Sequence, residues 1–87
     1  MTTAVRAGQL LLGRGDIDAA EDVAQRALAV DPWAEPAYAV LVGAALARDD
    51  RSTARRLLHR CTDALAELGS IPSTATQQLQ RRVAGAP

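Results

Sequence analysis

"GQLLLGRGDIDAAEDVAQRALAVDP", residues 8–32, decides the fold. The leucine run Leu10–Leu12 is cut by "GRGD" at 13–16. Glycine adopts turn conformations at little steric cost, so a helix ends there. Asp16 or Asp18 then caps the next helix start or complements its dipole. That second helix must stop at "VDP", residues 30–32, because the residue before a proline avoids α geometry. Gly8 and Ala20 are small at the points where two such helices cross. The stretch therefore reads as a helix–turn–helix hairpin.

Gly8, Leu11, Gly15, Ala20, Ala27 and Pro32 fall at spacings that resemble the tetratricopeptide repeat, a helical hairpin of about 34 residues. One period later Tyr38, Leu41, Ala45 and Ala54 occupy the corresponding positions, and Asp49-Asp50 stands in for the glycine turn. Val42 takes a position that usually holds a small residue, with Gly43 adjacent. Independently, Ala54, Leu57, Leu58, Cys61, Leu65 and Leu68 recur at helical spacing on one face, with Arg51, Arg55, Arg56 and Arg60 largely on the other. The expectation is an all-α fold of tetratricopeptide-like hairpins, with five helices at about 3–13, 17–30, 34–48, 50–68 and 73–84. Repeat 1 covers about 1–34, repeat 2 about 35–68, and a C-terminal helix caps a single domain of residues 1–87.

Composition agrees with helix-on-helix packing. Of the 87 residues, 48% are hydrophobic, with alanine the largest contributor, no Phe, one Trp and one Tyr. A core of Ala and Leu needs close backbones, which suits helices better than a sheet. So short a chain buries only about 60–65% of its unfolded surface. Net charge is zero, with ten Arg and no Lys, so overall charge gives no argument for nucleic acid. The lone cysteine cannot close an internal disulfide, and the apolar run near the N-terminus is too short for a signal or a membrane span. A soluble cytoplasmic protein that does not engage membranes is expected.

From Glu35 onward the text is more specific. "EPAYAVLVGAALARDDRSTARRLLHRC" and "ALAELGSIPSTATQQLQRRV" resemble the bacterial transcriptional activator domain, a helical domain of actinobacterial regulators of the antibiotic regulatory protein type. The matching positions are Tyr38, Leu41, Asp50, Arg51, Ala54, Cys61, Leu65, Glu67, Leu68, Gly69, Pro72, Ser73 and Thr76. Asp49 replaces the usual glycine, and Thr74-Ala75 the usual Pro-Glu. The resemblance covers the C-terminal portion of that domain, which implies a fragment or a short relative. It implies a role in transcriptional regulation through protein contacts: with itself, a neighbouring domain or the transcription machinery. A generic tetratricopeptide-like adaptor and a regulatory helical lobe of a larger ATPase or enzyme are the alternatives.

Candidate chemistry is sparse. His59 and Cys61 diverge by about 200° on a helix, so they do not converge on a metal, and one Cys with one His leaves no nucleophile–base choice. Cys61 reads as core and His59 as surface. No catalytic residue, metal site or cofactor is expected. The candidate interaction surface is Trp33, Arg51, Arg55, Arg56 and Arg60. The arginines give a local positive excess, answered in part by a neighbour on the same helix, Asp63, near Arg56 and Arg60. No helix-turn-helix reading of DNA is evident, so direct nucleic-acid binding is not expected. Asp16, Asp18, Glu21 and Asp22 make an acidic counterpart on the first hairpin. The inner face, with Val5, Gln9, Leu12, Ala39, Gly43 and Leu46, lacks a carboxylate clamp and suits another helix. Two repeats leave apolar surface uncovered, so a homodimer is expected.

Overall fold

A computed structural model describes residues 2–85, with side chains over 6–84; Val5 of the expected inner face lies outside the described side chains. Five helices follow one another: α1 (Thr2–Gly13), α2 (Ile17–Val30), α3 (Glu35–Ala47), α4 (Arg51–Glu67) and α5 (Thr74–Gly85). No strand occurs among the described residues. The fold is all-α and built of tetratricopeptide-like hairpins. Each boundary lies within a residue or so of its sequence expectation.

Helix α3, "EPAYAVLVGAALA", is apolar on nearly every side and organises the rest. Ala37, Tyr38, Val40, Leu41, Val42, Ala44 and Ala45 are all buried. A helix with no polar face must be surrounded. α3 is packed against α1, α2, α4 and α5, whereas α2 and α4 do not touch each other. The result is two layers. α1, α3 and α5 form one, with α3 between the other two, and α2 with α4 form an outer layer split by a gap. Burying Leu41 or Val40 contributes about 1.5–3 kcal/mol each, so α3 supplies much of the stability.

The close approach of α1 to its neighbours rests on two glycines. A Cβ on Gly8 would stand 3.2 Å from a Val40 methyl and 3.7 Å from the Ala20 carbonyl oxygen, which confirms the Gly8–Ala20 crossing. A Cβ on Gly43 would stand 2.9 Å from Leu12 Cδ1. Leu12 therefore lies over Gly43 on the inner face. That face is closed there by the chain's own leucine.

Helices α1, α3 and α4 end in the same way. The residue after each C-cap is left-handed: Gly15 at φ 80°, Asp49 at 57° and Gly69 at 69°. In each case its N–H donates three residues back and the next N–H donates five back: Gly15 to Leu12 and Asp16 to Leu11, Asp49 to Leu46 and Asp50 to Ala45, Gly69 to Ala66 and Ser70 to Leu65. This double bond pattern satisfies carbonyls that the helix leaves open. Asp49 thus occupies a glycine position and carries the steric cost of a Cβ there. Asp50 follows as N-cap of α4, accepting from the Thr53 N–H at 3.1 Å and the Thr53 hydroxyl at 2.6 Å. Asp16 holds the corresponding place before α2 without a side-chain cap bond.

Leu68 departs from the expected apolar stripe of α4. Ala54, Leu57, Leu58, Cys61, Ala64 and Leu65 are buried, but Leu68 is 55% exposed. It is the C-cap residue, so the chain has already turned away from the core-facing line.

Two substitutions test these joints. Asp49→Gly is expected to raise unfolding free energy by about 1 kcal/mol by relieving the left-handed residue, measured by urea denaturation. Gly8→Leu is expected to cost about 3 kcal/mol because even its Cβ crowds a methyl of buried Val40 and the rest of the side chain overpacks the crossing, read in the same experiment.

Candidate functional site

The four arginines of α4 do not form one cluster. Arg51 and Arg55 are one turn apart on one flank of the helix, and Arg56 and Arg60 one turn apart on the other. All four are exposed. Arg55 lines a cavity of about 250 Å³ between α4 and α5, together with Leu58, His59, Thr62, Gln80 and Val83. Arg56 and Arg60 instead line the gap between α2 and α4. That groove, about 220 Å³, has walls of Glu21, Gln25, Thr53, Leu57 and the two arginines, over a floor of Leu41.

Neighbours hold the two groove arginines in place. The Arg60 guanidinium lies 5.9 Å from the centroid of the Tyr38 ring, within cation–π range. The Tyr38 hydroxyl in turn donates to the Pro32 carbonyl at 3.2 Å. Arg56 donates to the Thr53 hydroxyl at 3.4 Å. Neither arginine forms an ion pair among the described residues, and the expected partner Asp63 is not engaged. The acids of α2 are answered from within: Arg48 bonds Glu21 at 2.7 Å and also Asp18, and Arg26 pairs with Asp22 at 3.1 Å. Arg48 is the C-cap of α3, so this fork ties α2 to α3.

Cys61 is fully buried, and burial pushes its thiol up to about 11, so it remains protonated near neutral pH. His59 is exposed. Among the described residues no group of three metal-ligating side chains converges, and no described helix is long and apolar enough to cross a membrane.

Trp33 sits in the α2–α3 connection, 41% exposed, its backbone N–H donating to Asp31 Oδ1 at 3.1 Å. Short connections make successive helices antiparallel, so the α2–α3 and α4–α5 joints lie at the same end of the stack. That end carries Val30, Trp33, Leu68 and Ile71, exposed by 83%, 41%, 55% and 80%. Leu10, on α1, is a further exposed large apolar side chain. Sequence reasoning singled out Trp33 and missed the other three. Val30 lies out of step with the buried stripe of α2, and Ile71 is isolated in a Ser/Pro joint; both signals were readable.

A further residue missed by the sequence fastens this end. The Glu35 carboxylate accepts from the Ser73 N–H at 2.7 Å and from the hydroxyl of buried Thr76. Ser73 is itself the cap of α5, its hydroxyl accepting from the Thr76 N–H at 3.3 Å. Burial pushes the Glu35 carboxyl up, but the bonds from Thr76 and Ser73 outweigh it and hold the group below the ordinary glutamate value. The first residue of α3 thus anchors the first turn of α5.

The family model described as the bacterial transcriptional activator domain matches residues 1–84. The chain belongs to that family. Its relation to transcriptional regulators, and the tetratricopeptide-like form of its hairpins, follow from this membership together with the five helices. No curated protein and no solved structure matches the chain. The joint "ELGSIPST" that carried the resemblance is the segment fastened by Glu35.

Because the folded Glu35 carboxyl sits below the ordinary 4.5, its contribution is complete above that pH and is lost as acid protonates the folded carboxylate. Glu35→Gln is expected to remove part of the stability loss seen as pH falls below 4.5, checked by thermal melts of both chains on acidification. Glu35→Ala, which orphans the Thr76 hydroxyl, is expected to cost about 1–2 kcal/mol and to speed amide exchange in α5.

Proposed function

We propose that this member of the bacterial transcriptional activator domain family works as a non-catalytic protein-interaction and oligomerisation module, contributing contacts to a transcriptional regulator without reading DNA itself. The observation that supports this is the apolar end formed by Val30, Trp33, Leu68 and Ile71. Large apolar side chains exposed together at a well-fastened end are unfavourable in water and favour burial against a partner. The Glu35–Ser73 link and the Asp31 bond to Trp33 fix the two loops that present them, so little ordering is needed on association. Trp33 is the natural anchor, since aromatic side chains dominate contact energy where they fill a pocket.

A second copy is the partner assigned to this end. Light scattering across a concentration series is expected to show a dimer that dissociates on dilution. The Trp33→Ser/Ile71→Ser double variant is expected to weaken association by about tenfold or more while retaining its helix content. A monomer at every concentration overturns self-association.

A further inference from the structure

The groove between α2 and α4 lies on the outer layer, away from the apolar end, and the reading above does not use it. Its floor is Leu41, its α4 wall Leu57, Arg56 and Arg60, its α2 wall Gln25 and Glu21. Three observations bear on what it accepts. The two arginines spring from backbone positions one helical turn apart, about 6 Å along the axis. Each is oriented by a neighbour that is not a carboxylate, Thr53 for Arg56 and Tyr38 for Arg60. Glu21, the acid in the opposite wall, is engaged by Arg48.

The α4 side of the groove is positive and the α2 side acidic. Residues 1–47 hold three arginines and six acids, whereas 48–87 hold seven arginines and four acids. Asp50, the acid whose charge Arg56 feels, is occupied in capping α4. The groove therefore offers two fixed, positive, planar donors beside a small apolar trough. Its volume of about 220 Å³ is that of one or two side chains and falls short of a typical small-molecule site of about 300–1,000 Å³.

We propose that the α2–α4 groove docks an acidic peptide segment of a partner protein, with carboxylates one helical turn apart on Arg56 and Arg60 and an apolar side chain between them against Leu57 and Leu41. Guanidinium–carboxylate pairs are the strong, geometrically selective polar contacts available to such a surface. The apolar trough separates this partner from a nucleic-acid backbone, whose phosphates would use the arginines and leave the trough empty. Gln25 stands across from the arginines with both an amide donor and an acceptor for the bound segment's backbone.

The inference rests on the reading that protein contacts are the function, and it is tested separately. The probe is a short capped helical peptide with glutamates one turn apart and leucines between, titrated into the isotope-labelled 87-residue chain and followed by amide chemical shifts. Shifts are expected at Gln25, Arg56, Leu57 and Arg60. The Arg56→Gln/Arg60→Gln variant is expected to bind about tenfold more weakly, and Arg55→Gln, on the opposite flank, within about twofold of the parent. Gln25→Glu, which keeps both arginines and their packing, is expected to weaken binding by placing a carboxylate in the groove. A peptide with glutamine for glutamate is expected not to bind. Absence of binding, shifts that map elsewhere, equal loss with Arg55→Gln, or a short oligonucleotide that binds the groove more tightly than the peptide each overturns the proposal. A monomeric chain that binds the peptide overturns self-association alone; a dimer that ignores the peptide overturns this inference alone.

Discussion

Helix α3 has no side that tolerates water, and the other four helices are arranged by that fact. Seven of its side chains are buried, including Leu41, Val40 and Val42, among the largest fully buried side chains of the chain. An isolated helix of this composition would be insoluble; surrounded, it supplies a continuous core. α1 and α5 flank it within its own layer, and α2 and α4 pack against it from the outer layer. The remaining helices are amphipathic or polar and need only one apolar face each. α4 can therefore carry four exposed arginines, because its burial is confined to the line from Ala54 to Leu65.

The polar interactions have a different job. They set how the helices enter and leave their positions around α3. Arg48 at the end of α3 reaches back to Asp18 and Glu21 in the first turns of α2, and Glu35 at its start reaches forward to Ser73 and Thr76 at the start of α5. Both ends of the central helix are tied, by opposite charges, to elements distant in sequence. Exposed hydrogen bonds and ion pairs of this kind contribute less than the apolar burial, but they fix which loops stand together at each end. The apolar end and the fastened α4–α5 joint are consequences of that pinning.

Several features of this arrangement were legible before any coordinates. The helix boundaries were, because Gly15, Gly69 and the prolines have strong local conformational preferences. Cys61 as core and His59 as surface were also legible, since helical spacing alone puts them on different sides. The joint at 65–80 carried the family resemblance, and Ser73 caps α5 as its residue type implies. Glu35 was not legible as its partner. A carboxylate 38 residues away in sequence makes no periodic signal with Ser73.

The sequence by itself determined the helical hairpins, the family and the turn chemistry, because these depend on spacings within one or two turns of chain. Tertiary structure alone decided how the side chains were grouped across helices. It split the arginines of α4 into two flanks, since only the packing of α2 and α5 shows which flank borders which groove. It turned Leu12 onto Gly43, so that part of the inner face is filled from within. It also moved Leu68 out of the core line and brought it to the same end as Trp33, Val30 and Ile71. The physical reason is common to all three. Helical periodicity fixes the direction of a side chain around its own axis, but the neighbour it meets is chosen by how the helices close around α3.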